Sequence, residues 1–424
     1  MYKKKAFIFP GQGSHYAGMG QTFYNDFHSV QILVEEAGDL LGLNIKDVLL
    51  HYTIDELEQS ELVQTAIVIV GYCSFKVLTE EYGIYPDLLA GHSLGELSAL
   101  ACSGAITYKD TLALTRKREK IMNMIGAGQG GMIAVMGIDA DSADKICKSI
   151  SSHLGYVAVS NYNSDEQVTI SGTEQALKEL ISQLNNQGVR ILPVPVPGPY
   201  HSRLMESSLP FMKDELNKCD FSPLEYPVIS SITGTLYRSE KEIYERLAIQ
   251  LTNPVRWTQV LACFAEGGIK ELIEIGPQSV LRNLSMTNCI DLTVLAMENR
   301  RDFQEILRRF SKVRELEAVN SVSRNQLLND CLKEALCAPN YNDDEKEFEQ
   351  GFLKPYRKIL SNSRNSEKLG GVPGYKEMKE ALDMLHQALI IKKVADSERR
   401  EIMQDVLYVN GLFDVYPDYL KMQV

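Results

Sequence analysis

Hydrophobic and polar positions follow two different rhythms along this chain. Through the first two thirds, short apolar runs closed by Gly, Pro or Asn alternate with stretches of helical spacing. Ala6-Phe7-Ile8-Phe9 and Leu88-Leu89-Ala90 read as buried strands, each running into a glycine-bearing turn. Leu97-Ser98-Ala99-Leu100-Ala101 and Asp110 to Met124 read as helices. From Met132 the order is strand (132–136), helix (140–152), strands (156–160 and 167–171), helix (174–186) and strand (190–196). That is βαββαβ, the ferredoxin-like order. From residue 301 the strand pattern stops. Amphipathic helices are predicted over 303–317, 322–337, 342–360, 375–393 and 396–406, with a loop across Ser361–Ser366 and Gly370–Gly374.

Length and composition narrow the picture. A chain of 424 residues can hold two or three sizeable cores, and 44% hydrophobic with 24% charged residues is ordinary for globular domains. The net charge of −12 argues against a nucleic-acid partner. Behind the basic start Met1-Tyr2-Lys3-Lys4-Lys5 the apolar run is too short for a signal peptide. No stretch reads as reaching the ~20 apolar residues of a membrane span. Eight cysteines are scattered without a Cys-x-x-Cys pair, so the expected compartment is a reducing cytoplasm, with no metal site and no bound cofactor. Gly126-Ala127-Gly128-Gln129-Gly130-Gly131 matches a dinucleotide fingerprint, but it follows a helix and precedes a strand, the reverse of the required order. It reads as a connector between domains.

The candidate chemistry centres on Gly91-His92-Ser93-Leu94-Gly95-Glu96, between a predicted strand and a predicted helix. Gly-x-Ser-x-Gly at that junction lets the chain turn sharply and push a serine hydroxyl out of the sheet edge, with helix amides facing a developing oxyanion. Taken alone, the pentapeptide fits an ordinary strand-turn-helix with a solvated Ser93 equally well. Of seven histidines, His92 adjoins the serine and should diverge from it, while His201 sits in the rigid loop Pro197-Gly198-Pro199-Tyr200-His201 after a predicted strand. His15, His28, His51, His153 and His386 lie in polar or helical contexts and read as surface or packing residues. Pro10-Gly11-Gln12-Gly13-Ser14 closes the first strand, where backbone N–H groups can face a ligand.

Seven motifs then occur in order. They are Phe-Pro-Gly-Gln-Gly-Ser (9–14), Gly-His-Ser-Leu-Gly-Glu (91–96), Arg-Glu-Lys-Ile-Met (118–122), Asn-Tyr-Asn-Ser (161–164), Tyr-His-Ser (200–202), Asn-Pro-Val-Arg-Trp (253–257) and Glu-Ile-Gly-Pro (274–277). Over residues 1 to 300 the chain resembles the malonyl-CoA:acyl carrier protein transacylase family, including the free-standing, trans-acting acyltransferases of polyketide and hybrid polyketide–peptide pathways. The resemblance implies an α/β-hydrolase-like catalytic domain (1–129 and 198–300) with an inserted ferredoxin-like subdomain (130–197). A helical C-terminal extension (301–424) would follow; the core does not need it, and it would pack on the core or dock a carrier protein.

Position by position, the resemblance implies Ser93 as nucleophile and His201 as base, with an oxyanion hole from the backbone N–H groups of Gln12 and Leu94. Arg118 would hold the free carboxylate of a malonyl-type group, and the Gln250 carbonyl would orient His201 in place of a triad aspartate. Asn161, Asn163, Gln64, His92 and Tyr200 fall at family positions around the site. By charge pattern alone, Arg118 reads as one member of a solvated run from Arg116 to Lys120, which with Arg203 is a candidate basic surface. Tyr200 departs from the Phe common before the histidine in malonyl-selective relatives, which leaves a 2-substituted malonyl group open. The implied substrate is malonyl-CoA, and the implied partner is an acyl carrier protein offering a phosphopantetheine thiol to a monomeric enzyme. An acyl hydrolase of carrier proteins on the same scaffold is the alternative. A non-catalytic docking subunit and a lipase, which needs an acidic residue between Ser and His in chain order, rank lower.

Overall fold

The structure is a computed structural model, and it describes residues 4–185, 188–285, 291–311, 321–368, 372–412, 415–416 and 419. Strands β1 (Lys5–Phe9), β2 (Leu88–Gly91), β7 (Val228–Ile229), β8 (Glu271–Glu274) and β9 (Thr293–Ala296) form one sheet in the order β7-β2-β1-β8-β9. Every pair in it is parallel. β1 and β2 are buried throughout, as continuous apolar strands covered on both faces should be. One face packs Ala6, Ile8 and Ala90 against Trp257, Val260 and Phe264. On the other, Phe7 meets Phe75 edge-on with ring centroids 6.1 Å apart. The register Ile8↔Ala90 and Phe9↔Gly91 ends β1 and β2 side by side. The loops after them therefore leave the same sheet edge, the carboxyl ends where open α/β sheets bind ligands.

Strands β3 (Gly131–Met136), β4 (Val157–Ser164), β5 (Gln167–Gly172) and β6 (Arg190–Pro193) make a second, antiparallel sheet in the order β4-β5-β3-β6. Together with helices Ala140–Ser151 and Glu174–Leu184 this is the ferredoxin-like arrangement that the periodicity predicts. Two strand ends differ. β4 runs to Ser164, through irregularities at Val159/Asn161 and Tyr162/Ser164, instead of ending at Ser160. β6 stops at Pro193 instead of Val196, because Pro193 and Pro195 bring no N–H to a ladder and suit only the end of an edge strand. Asn186, the expected end of the second helix, lies outside the described residues.

Helix Val63–Lys76 is buried on nearly all sides and passes into a wider turn at Val77–Glu81. Contrary to the reading that no stretch approaches a membrane span, Val63–Glu81 has the length and a mean hydropathy of 1.2. Its most apolar stretch is 83% buried inside the protein, which makes it a core helix.

The chain divides into two compact units: Met1–Val77 with Pro86–Ile306, and Leu78–Tyr85 with Leu307–Val424. Segment 78–85 thus belongs with the C-terminal helices, although the sequence pattern assigns it to the catalytic body. Gly83 packs so tightly on Tyr375 that a Cβ there would sit 2.5 Å from the ring, and Lys376 lies 3.7 Å from both Glu80 and Glu81. The second unit has its own core, including Cys331, Leu382, Leu385 and Leu407. Within it, the buried Lys392 ammonium donates to the carbonyls of Leu336 (3.0 Å) and Ala338 (2.8 Å) at the end of helix Ser321–Cys337. The expected loop at Ser361–Ser366 is helical, since helix Lys354–Lys368 runs through it. Helix Arg300–Phe310 covers the first part of the 303–317 expectation, and residues 312–320 lie outside the described ones.

Candidate active site

The turn between β2 and helix Gly95–Cys102 holds Ser93 at φ +53°, a left-handed conformation that costs a residue with a Cβ on the order of 1–3 kcal/mol. The surroundings enforce it. A Cβ on Gly91 would lie 1.9 Å from the Gly95 carbonyl carbon, and one on Gly95 would lie 2.0 Å from Phe9 O. The amide of His92 donates to Phe9 O at 2.9 Å, and the Gln250 side-chain Nε2 donates to Ser93 O at 3.0 Å. The hydroxyl is thereby carried to the sheet edge.

His201 arrives from β6 through the Pro-rich loop and is itself left-handed, at φ +57°. Its Nε2 lies 2.6 Å from Ser93 Oγ, and its Nδ1 lies 3.0 Å from Gln250 O. A carbonyl can only accept, so Nδ1 carries the proton and Nε2 is left to accept from the serine hydroxyl. Burial, and next the neighbouring Arg118 cation, push the imidazole pKa down to about 3. It is neutral over the whole physiological range.

Arg118 is 1% exposed. Helical periodicity turns it and Glu119 inward from helix Tyr108–Gly126, while Lys117 and Lys120 stay exposed. The solvated-run reading therefore fails for Arg118, and the candidate basic face is interrupted. Its Nη1 donates to Gln64 Oε1 (2.6 Å), and its Nη2 donates to Gln250 Oε1 (2.9 Å) and Ser93 Oγ (3.2 Å), all of them neutral groups. Among the described residues, its buried Nε has no partner. Burial lowers its pKa to about 10, so it remains a cation. Gln64 is held in turn by Glu119, which accepts its backbone N–H at 3.1 Å, and by donating to Gln12 Oε1 at 3.1 Å.

Gly11 and Gln12 pack against the serine turn: a Cβ on Gly11 would sit 2.7 Å from His92 O and 3.7 Å from Leu94 N. Among the described residues, neither the Gln12 nor the Leu94 amide has an intramolecular acceptor. Both line a cleft of about 210 Å³ with Ser93, Arg118 and His201, and Asn161 and Asn163 face it from β4. Hydrogen bonds Tyr162 N–H to Val255 O (2.8 Å) and Val255 N–H to Ser160 O (2.9 Å) fix that strand against the segment leading to Trp257. His92 turns away from the serine, as adjacent residues on a turn do: its Nε2 pairs with Asn163 Oδ1 at 2.9 Å and its ring meets Trp257 edge-on. Tyr200 is buried, with its hydroxyl donating to Asn123 Oδ1 at 3.2 Å. Arg203 stacks over Tyr156, 4.5 Å from the ring centroid. Sequence reasoning missed Glu96, a buried carboxylate that accepts four hydrogen bonds behind the serine. The available signal was a lone acid on a helix otherwise made of small and apolar residues.

Residues 6–315 match the acyl transferase domain family. The chain belongs to that family. A malonyl CoA-acyl carrier protein transacylase of Bacillus subtilis is 33% identical over 344 residues, covering 81% of this chain and 85% of that relative. From Bacillus subtilis strain 168, the polyketide biosynthesis malonyl CoA-acyl carrier protein transacylase PksC is 33% identical and covers 66% of this chain and 94% of its own length. Among solved structures, a type II polyketide synthase malonyl-transacylase in complex with its holo acyl-carrier protein superposes with a TM-score of 0.69 at 32% identity. That match covers 72% of this acyl transferase and 99% of the solved chain. The resemblance read from the seven motifs is thus the family the chain is in.

Proposed function

We propose that this acyl transferase moves a malonyl-type acyl group from CoA, through an ester on Ser93, to the phosphopantetheine thiol of an acyl carrier protein. Ser93 Oγ attacks the thioester carbonyl while its proton passes to His201 Nε2. The N–H groups of Gln12 and Leu94 hold the tetrahedral oxyanion, and such donors contribute about 3 kcal/mol each. Collapse expels the CoA thiolate, which takes the proton from His201. The carrier thiol then repeats the sequence in reverse, giving its proton to His201 and leaving with the acyl group as Ser93 regains its hydrogen.

One observation carries the choice of acyl group: a buried guanidinium within reach of the nucleophile, whose partners are all neutral. A charge held in a dry site wants a counter-charge, and a planar fork matches a carboxylate in two places. A malonyl group supplies one; a simple acyl chain bound for hydrolysis does not. Tyr200 borders the same cleft and sets how large a substituent beside the carboxylate can be. In this proposal residues 1–77, 86–129 and 198–300 are the catalytic body, 130–197 an insertion carrying Asn161 and Asn163, and the protein works as a cytoplasmic monomer. Incubation with a panel of acyl-CoAs, followed by measurement of the mass added to Ser93, tests it. Malonyl-CoA should label the serine and acetyl-CoA should label it far less; equal labelling by both would refute the reading.

A further inference from the structure

Glu96 lies one helical turn beyond Ser93 and is 1% exposed. Its Oε1 accepts from Ser231 N–H (2.9 Å) and Tyr237 OH (2.7 Å), and its Oε2 from Ser231 Oγ (2.7 Å) and Gln250 Nε2 (2.6 Å). None of these donors is a cation. Burying a carboxylate among neutral donors is costly, and a neutral acceptor could satisfy some of them. What the carboxylate adds is one-sidedness, because it has no hydrogen to give. Gln250 can therefore face it only with Nε2, and its Oε1 must point the other way, where Arg118 Nη2 donates at 2.9 Å. Gln250 also stands between the two charges, so acid and guanidinium are bridged through an amide and the cation stays open to substrate.

We propose that Glu96 is a positioning residue: by fixing the orientation of the Gln250 amide it aims the Arg118 guanidinium and sets the preference for a carboxylate-bearing acyl group. This rests on the malonyl-transfer reading above. Replacing Glu96 by Gln puts an NH₂ group where one oxygen stood. On the Oε2 side it confronts Gln250 Nε2; on the Oε1 side it confronts the Ser231 amide. The hydroxyls of Tyr237 and Ser231 on the same two oxygens can turn to accept, but the Ser231 N–H and Gln250 Nε2 cannot. With the NH₂ group on the Oε2 side Gln250 must turn or shift, and with it on the Oε1 side Gln250 keeps only a neutral acceptor in place of the carboxylate, a weaker hold on its amide.

The experiment compares formation of the Ser93 acyl-enzyme from malonyl-CoA and acetyl-CoA, by intact mass, in the full chain. Glu96→Gln is expected to slow malonyl loading about tenfold and raise its half-saturating concentration, with acetyl loading within about twofold of wild type. Tyr237→Phe removes a donor to Glu96 but leaves its charge and its hold on Gln250, and it should keep the wild-type ratio. Should Glu96→Gln not fold, Glu96→Asp carries the test, since it draws the carboxylate back from Gln250 and should lower the ratio less steeply. An unchanged malonyl-to-acetyl ratio, or an equal fall for both substrates, overturns the assignment. A wild-type protein that takes up no malonyl group at all overturns the functional reading and this proposal with it.

Discussion

Arg118 Nη2 stands 3.2 Å from Ser93 Oγ, so a buried cation touches the same hydroxyl that lies 2.6 Å from His201 Nε2. The cation has two opposed effects on that centre. It favours an oxygen that is losing its proton, and it disfavours the imidazolium that would form in the proposed proton transfer. A substrate carboxylate on the guanidinium would offset the second effect at the moment the acyl group binds, tying the base's strength to the right substrate.

Removing the cation should therefore separate substrates. Arg118→Ala is expected to reduce malonyl loading of Ser93 by roughly 10²-fold, the scale of a lost buried charge pair, while acetyl loading holds or rises. Arg118→Lys should not restore malonyl loading, because an ammonium lacks the fork. Mass measurement of the acyl-enzyme with both CoA esters reads the outcome; equal losses would contradict a carboxylate-binding role.

The same contact makes a pH prediction. Burial and the Arg118 cation both disfavour protonated His201 and hold its pKa down at about 3. Acetyl loading should then stay flat as pH falls past 6.5, the ordinary histidine value. In Arg118→Ala the second cause is gone, the pKa rises, and the acid limb should move to higher pH. Rates of acetyl loading between pH 4 and 8 check the sign, and an acid limb unmoved by the substitution would contradict it.

Ser93→Ala should give no covalent adduct with any acyl-CoA. His201→Ala should keep the site but slow loading by about 10²–10⁴-fold, the usual contribution of a general base. Labelling of Ser93→Ala by malonyl-CoA would remove the nucleophile assignment.

Backbone fit at the turn is testable by stability. Gly95→Ala would bring a Cβ to 2.0 Å from Phe9 O, so the turn or β1 must shift, at a cost of about 3 kcal/mol. Gly128→Ala, at φ +74° with nothing within 4 Å of the added carbon, bears conformational strain only and should cost about 1 kcal/mol. Thermal unfolding of the two variants should rank them in that order, with loading lost only in Gly95→Ala.

A chain cut to residues 1–306 should unfold at a lower temperature than the full protein or fail to stay in solution. Leu78 and Ile84 are fully buried, in a segment whose compact unit is otherwise made of residues 307–424. If the shortened chain instead retains the full Tm and malonyl loading, the C-terminal unit contributes nothing to the fold of that segment.

Much of this was legible in the sequence because local and global signals agreed. The apolar runs at Phe7 and Leu89 read as buried strands and are, and the glycines around Ser93 announced a turn too tight for side chains. Long-range packing was the part that composition could not carry. Ser361–Ser366 reads as a loop because Ser and Asn favour turns, yet they do not break helices, and no Gly or Pro interrupts the run before Gly370. Asn161 to Ser164 falls beyond the expected strand end at residue 160 and is bulged strand, which is how Asn161 and Asn163 come to face the cleft. Glu96 was invisible as a functional group because its partners lie 135 to 154 residues away, on Ser231, Tyr237 and Gln250.

The threading of residues 78–85 into the second unit also bears on how the protein is made. That octapeptide leaves the ribosome long before segment 307–424 exists. At about 5–20 residues per second the wait is on the order of ten seconds or more. Throughout it, Gly83 has yet to meet the Tyr375 ring that packs on it, and Glu80 and Glu81 have yet to meet Lys376. Biosynthesis of the chain thus contains an interval in which this octapeptide waits, tethered to the nascent catalytic body, for the part of the protein it folds with.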